Sequence, residues 1–285
     1  MSDGPAPPRQ IFGIGAVIGE TLWVFVRRIH WALIGCLPGL VLGGLLTSLA
    51  VWVFATERVI RMSYRSEEYI VLGCFAICVG GAIGVMAGPL SRLVEDARLS
   101  RNVRIGVVLR TVLYRPVESV ICGVLTVSAT LIPIVLFMLG GYSSGFIIQI
   151  LGALLGTWVL AHIGICLPVV HIDRLGFGAL ARASSLGRGY RLTIGGTFFV
   201  MLAIAFVLGG GLTGLLAVAM QFLFSEVIGF SSFPHPWRMV IPLFYLGLVT
   251  FLVVGFMATG AAVIRARMVE IKEPLDITPL VDLFD

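Results

Sequence analysis

The sequence predicts an all-α polytopic membrane protein, with six transmembrane helices and three interfacial amphipathic helices on one side of the membrane. Three observations predict it. Hydrophobic residues make up 58% of the 285 residues and charged residues 12%, about half the ~25% charged content of a soluble domain. Mean hydropathy is +1.04, and several uncharged apolar runs exceed the ~18 residues that cross a bilayer, the signature of spanning helices and not of an alternating barrel. The 20 basic residues are also unevenly spread. The N-terminal region carries three, the 91–115 linker six, the 171–193 elbow four and the C-terminal tail three, against four in the remaining loops. That 16-to-4 bias predicts that both termini and all three interfacial helices are cytoplasmic.

Residues 1–10 are Pro-rich, without an apolar core, and are expected to be a disordered tail and not a signal peptide. Residues 11–265 are expected to form a single membrane domain. It opens with an interfacial helix over 11–29, whose apolar stripe is Ile11, Ile14, Ile18, Leu22 and Phe25. The first span, about 31–55, contains Gly35, Gly39 and Gly43; the second, about 69–90, contains Gly80, Gly84 and Gly88. Small residues four apart let helix backbones approach closely, so both triplets are candidate packing faces. The 91–115 linker holds a second amphipathic stretch, 104–114, with Ile105, Leu109, Val112 and Leu113 on one side. Span three covers about 117–139 with a kink at Pro133, and span four about 146–170.

The elbow, 171–193, is too polar to cross a bilayer. At helical spacing Arg174, Arg182, Ser185 and Arg188 share one sector, while Leu175, Ala179, Leu180, Ala183 and Leu186 fill the other. Gly187 and Gly189 end that helix. Spans five and six cover about 194–224 and 239–264, and 266–285 is expected to be an acidic cytoplasmic tail.

The order interfacial helix, span, span occurs three times. The starts read GIGAVIGETLWVFVRR, RIGVVLRTVLYRPVES and GFGALARASSLGRGYR, with Gly15, Gly106 and Gly178 aligned. A threefold internal repeat explains this; so does the general look of any elbow-plus-hairpin membrane unit.

Two stretches carry a family resemblance. The first is an apolar helix ending at Pro168, then Asp173, an Ala-rich helix with Arg and Ser, and the run Leu186-x-x-Gly189-Tyr190-Arg191. The second is the ending ATGAAVIRARMVEIKEPLDI, with small residues, a basic pair and an acidic tail. Together they resemble the bacterial membrane domain fused to some glycerophosphoryl diester phosphodiesterases, and its stand-alone six-span relatives. The resemblance implies a bacterial inner-membrane location and a fold, more than an activity.

Catalytic motifs are missing. No phosphate loop, zinc-protease helix or nucleophile elbow occurs, and no cofactor, metal or nucleic-acid partner is expected. The five cysteines lie in predicted spans and read as small buried residues; Cys74 with Cys78, and His162 with Cys166, share helix faces without further ligands. His162 is the one ionisable group well inside a span, either a proton relay or ligand, or a side chain bonding across helices near the interface. What remains is a basic belt in which arginine outnumbers lysine nineteen to one. Arginine binds phosphate bidentately. Arg174, Arg182, Arg188, Arg191, Arg104 and Arg110 are therefore candidate contacts for anionic phospholipid headgroups, although topology alone also accounts for them. The expected function is non-enzymatic: membrane organisation, lipid handling or assembly of a complex, with a membrane-protein partner or a second copy as possible partners. A transporter or channel for a small or amphiphilic solute, and an accessory subunit of a larger complex, are the alternatives.

Overall fold

In the computed structural model the described residues, 12–55, 64–112, 116–142, 145–222 and 235–273, are helices joined by turns, with no strand among them. The helices are α1 (Ile14–Arg27), α2 (Ile29–Ala55), α3 (Tyr64–Arg98), α4 (Ile105–Val112), α5 (Pro116–Tyr142), α6 (Phe146–Ile163), α7 (Cys166–Ile172), α8 (Ala179–Gly187), α9 (Arg191–Phe222) and α10 (His235–Lys272). Among the described residues five stretches are long and apolar enough to cross a membrane: Ile29–Leu46, Ile77–Arg98, Ile147–Ile172, Arg191–Leu212 and Phe251–Lys272. The remaining expected span, the third, falls on α5, whose apolar described stretch, Pro116–Ala129, is shorter.

Several boundaries differ from the sequence expectation, and three of them have a local reason. Span four is two helices, broken at Gly164 and Ile165. Pro168 has no N–H to give the carbonyl of Gly164, and its ring crowds that carbonyl. The start of the 91–115 linker is helical, because α3 continues to Arg98 and buries Ser91, Leu93, Val94, Asp96 and Ala97. The tail likewise begins later than 266. α10 runs on to Lys272 and buries Met268 completely. Charged residues hid both extensions from an apolar-run reading. The loops expected at 56–68 and 225–238 end earlier than that, because α3 begins at Tyr64 and α10 at His235; residues 56–63 and 223–234, the disordered tail 1–10 and the tail beyond Glu273 lie outside the described residues.

The contacts follow a cyclic order. α2 packs on α3, α5 on α6 and α9 on α10; between these pairs, α3 meets α5, α6 meets α9 and α10 meets α2. Each short helix rests on the second member of a pair: α4 on α3, α8 on α6 and α7, α1 on α10. α3, α7 and α10 touch one another at the middle. There Met86, Leu90, Ile165, Val169, Phe256 and Ile264 are fully or almost fully buried.

Both glycine triplets face other helices. A side chain on Gly35 would meet Pro89 at 2.7 Å, and one on Gly39 would meet the Ala82 carbonyl at 2.8 Å. Gly43 is looser, 3.0 Å from Ala82 Cβ. The opposite side of α2 exposes Leu33, Leu37, Val41, Leu45 and Leu49, so this helix has a small-residue inner face and a leucine outer face. The tightest crossing is α3 on α5. An added Cβ at Gly80 would lie 2.5 Å from Val124 Cα, one at Gly84 would strike the Ser119 carbonyl, and one at Gly123 would strike the Gly80 carbonyl. Gly123, the partner in that crossing, follows Ser119 by four residues, a small-residue pair on α5 that glycine triplets alone do not reveal.

The short helices pack on protein to a degree their stripes did not suggest. α1 buries Val17, Thr21, Val24 and Phe25, while Ile14, Ile18 and Leu22 are only half-buried. Phe25 stacks between Phe251 and Phe256, and lies over Gly255. Lipid and protein interior are equally apolar, so periodicity alone could not say which of the two a stripe faces. α8 buries Ala179, Ala183 and Leu186, three members of its expected apolar sector, against α6, α7 and α10.

Candidate functional site

The ion pairs between helices among the described residues gather at one end of the bundle, where α1, the end of α3, the elbow and the end of α10 converge. The basic pair of α10 divides its two members there. Arg267 reaches Glu20 of α1 at 2.7 Å, and Glu20 also takes Arg98 of α3 at 2.6 Å. Arg98 continues to Glu270 at 2.9 Å. One carboxylate thus joins three helices. Arg265 turns the other way and pairs with Asp173 in the elbow. Both partners are mostly buried, at 12% and 14% side-chain exposure, so the elbow is fixed to α10 by a charge pair shielded from water.

Arg28, just after α1, adds long hydrogen bonds of 3.4–3.5 Å to the carbonyls of Leu93, Asp96 and Arg101, covering the end of α3. His171, the last-turn residue of α7, lies buried over Gly88, its Nε2 3.3 Å from the Gly84 carbonyl. The missing side chain at Gly88 makes room for that ring, an arrangement that glycine spacing on α3 could not disclose.

The elbow turns through left-handed backbone at Arg174 (φ 58°), Gly176 (φ 56°) and Gly189 (φ 89°). Glycine adopts such angles without strain, and Gly189 lets the chain reverse from the end of α8 into α9. The reversal leaves an open cleft of about 790 Å³ lined by Ala181, Ser184, Ser185, Arg188 and Arg191. Lys272 closes its edge, donating to the carbonyls of Ser185 at 2.6 Å and Arg188 at 2.8 Å. The Ser185 carbonyl, in the last turn of α8, also accepts the N–H of Arg188, the residue that caps the helix, at 3.3 Å. Arg191 Nη2 donates to Ser184 Oγ at 3.4 Å, and Ser185 Oγ donates to the Arg182 carbonyl at 2.8 Å.

The six candidate headgroup arginines therefore fall into different surroundings. Arg182 is bound inside the protein: it pairs with Glu273 at 2.6 Å and approaches Asp173 at 3.9 Å. Hydrogen bonding from Arg182 holds the Glu273 carboxyl below its ordinary value, and the same bond raises the Arg182 guanidinium. Arg188 and Arg191 are exposed on the cleft, with no carboxylate within ion-pair distance among the described residues. Arg174 is exposed at the start of the elbow. Arg104 and Arg110 are exposed just before and on α4, which packs on α2 and α3, and they do not line the cleft.

His162 bonds its own helix, Nδ1 to the Trp158 carbonyl at 2.9 Å, and its ring lies 4.3 Å from the Trp158 ring, so it does not reach across helices. Cys166 does not face His162 as a pair; its thiol donates to Cys122 of α5 at 3.5 Å. Sequence reasoning passed over Ser184, which lines the cleft, and Lys272, which bonds the carbonyls of two lining residues. Both sit among stronger arginine signals, and only the fold brings residue 272 beside residue 185.

Comparison with family models, with curated proteins and with solved structures finds no match to this chain. The class follows from the fold alone: an all-helical, multi-pass membrane protein with five candidate spans among its described residues.

Proposed function

We propose that the protein is a non-enzymatic, six-span inner-membrane protein that organises or handles anionic phospholipid at its basic end. α5 supplies the remaining span. Its 27 residues correspond to about 40 Å of helix, more than the ~30 Å hydrocarbon core. Both termini lie on the cytoplasmic side in this reading, in accord with the 16-to-4 distribution of basic residues. The cyclic order of contacts, with each short helix on the second member of a pair, supports a threefold repeat of interfacial helix and two spans.

The observation that carries the lipid reading is the division of the basic residues. One set, Arg98, Arg182, Arg265 and Arg267, has carboxylate partners. Arg188 and Arg191, at the same end, have none among the described residues. Topology needs only the charges; it gives no reason for two guanidiniums to stay unpaired beside one cleft. Next to them Leu192 is 89% exposed, as expected of a side chain at the lipid boundary.

The test is retention of native lipid. Wild type and Arg188→Gln/Arg191→Gln are purified from the same membranes and bound lipid is measured by mass spectrometry. Each arginine contributes on the order of 1 kcal/mol to anionic-surface binding, so anionic lipid should be held roughly thirtyfold more weakly by the variant. Equal retention with normal folding removes the lipid reading. Reporter fusions at residues 60, 143 and 232 should report outside and those at 100, 180 and 280 inside.

A further inference from the structure

The geometry points to a discrete phosphomonoester site in the cleft between α8 and α9, with Arg188, Arg191 and Ser184 as its ligands; this rests on the lipid reading above and narrows it to one ligand class.

Among the described residues, the charged side chains lining the cleft are positive. Arg188 and Arg191 line it without a carboxylate partner among the described residues. Lys272 covers the carbonyls of Ser185 and Arg188, so the negative end of α8 is neutralised where it borders the cleft. Arg191 is the first residue of the 32-residue α9, whose positive end points there. The acid nearest in sequence to Lys272, Glu273, is occupied by Arg182 at 2.6 Å. An anion is the complement of this arrangement.

The donors also select among anions. Two guanidinium forks offer paired N–H groups. Ser184 accepts from Arg191 at 3.4 Å and donates to no described group, so its hydroxyl hydrogen is available. Ser185 is different, because its hydroxyl already donates to the Arg182 carbonyl. A phosphomonoester presents three terminal oxygens and a charge of about −1.5 to −2 at neutral pH. A phosphodiester presents two such oxygens and a single charge. Two forks and a hydroxyl match the former. The cleft is open, so a glycerol ester beside the phosphate meets no wall and can extend outward. A phosphatidic-acid headgroup and a soluble glycerol phosphate share this chemistry.

The test uses the full chain purified in a neutral detergent and titrated, with native mass spectrometry as readout, against dioctanoyl phosphatidic acid, dioctanoyl phosphatidylglycerol and inorganic phosphate. Phosphatidic acid should fill one saturable site at least about tenfold more tightly than phosphatidylglycerol. Arg188→Gln/Arg191→Gln should weaken it roughly thirtyfold, Ser184→Ala about threefold to tenfold, and Ser185→Ala should leave it unchanged. Arg188→Lys/Arg191→Lys keeps the charge without the forks, so it should lose the preference for the monoester while retaining anionic lipid; it also serves where the glutamine variant does not fold. Displacement by millimolar inorganic phosphate or glycerol 3-phosphate assigns the site to a soluble phosphoester, and resistance to them assigns it to the lipid. Equal affinity for phosphatidic acid and phosphatidylglycerol overturns the site. If, in addition, the glutamine variant retains native anionic lipid as wild type does, the broader lipid reading fails with it; if the variant loses that lipid, only the monoester site fails.

Discussion

The joint around Glu20 and Asp173 and the cleft around Ser184 use the same side chain, arginine, at the same end of the bundle. In the joint every arginine meets a carboxylate from another part of the chain: Arg98 and Arg267 share Glu20, and Arg265 takes Asp173. In the cleft, among the described residues, two arginines stand with hydroxyls, and a lysine beside them bonds carbonyls. Pairing consumes charge and fixes helices; leaving charge unpaired keeps it for a ligand and forgoes that fixation. Arg182 marks the border, because it belongs to the elbow helix by sequence and to the joint by contact. A count of basic residues cannot make this distinction, since the acids that decide it come from residues 20, 173, 270 and 273.

The largest expected effect tests whether both regions stand on a common rigid support. Gly84→Leu would drive a side chain into the Ser119 carbonyl at the α3–α5 crossing. Backbone cannot yield as a flexible side chain does, so the cost should exceed about 3 kcal/mol, the upper end of ordinary overpacking. Folded protein after detergent extraction should fall sharply, with both joint and cleft lost. Gly44→Leu meets nothing within 4 Å and should be tolerated. If both variants fold alike, the crossing does not support the charged end.

Next in size is the joint. Asp173→Asn leaves Arg265 mostly buried without its counter-charge, and breaking such a pair costs about 3 kcal/mol. Thermal unfolding should shift down, and replacing both partners with apolar residues, Asp173→Leu with Arg265→Met, should recover part of the loss. A double variant that loses the sum of the two single losses would mean the pair is not coupled. The cleft should respond in the opposite manner. Arg188→Gln/Arg191→Gln should change stability by no more than about 0.5 kcal/mol, as exposed substitutions do, while anionic lipid is held more weakly. Loss of stability there would move Arg188 or Arg191 into the joint and dissolve the contrast.

Much of the helical layout was legible because apolar runs report burial in any apolar medium. The extensions of α3 to Arg98 and of α10 to Lys272 were not, since charged side chains that pair across helices look the same in sequence as charged side chains in a loop. The break at Gly164 was written in Pro168, and was overlooked because the run around it stays apolar. The elbow arginines were found as a group, but Arg182 could be separated from Arg188 and Arg191 only once Glu273 was seen beside it. His171 opened the elbow in sequence, yet its place over Gly88 depends on how α7 crosses α3, which no spacing on either helix encodes.

The smallest effect concerns the border residue. Glu273 is exposed, and its carboxyl is held below the ordinary 4.5 by the hydrogen bond from Arg182. A carboxyl with a depressed folded-state value favours the folded chain when ionised. That contribution is complete above the unfolded value, near pH 4.5, and is lost as pH falls through the lower folded value. The Arg182–Glu273 bond should therefore be indifferent to pH between 6 and 8 and weaken only in acid. Because both side chains are partly exposed, water screens them and the effect on global unfolding should be slight. It should be visible locally: relative to the intrinsic rate at each pH, amide protection in the last turn of α10 and in α8 should fall below pH 4.5 in wild type. Glu273→Gln should show the lower protection at all pH values, with no further step in acid. A wild-type step centred above pH 5 would point to a group other than Glu273. If the glutamine variant keeps the acid step, Arg182 is held by Asp173 instead, and the border between joint and cleft lies one residue pair further inside.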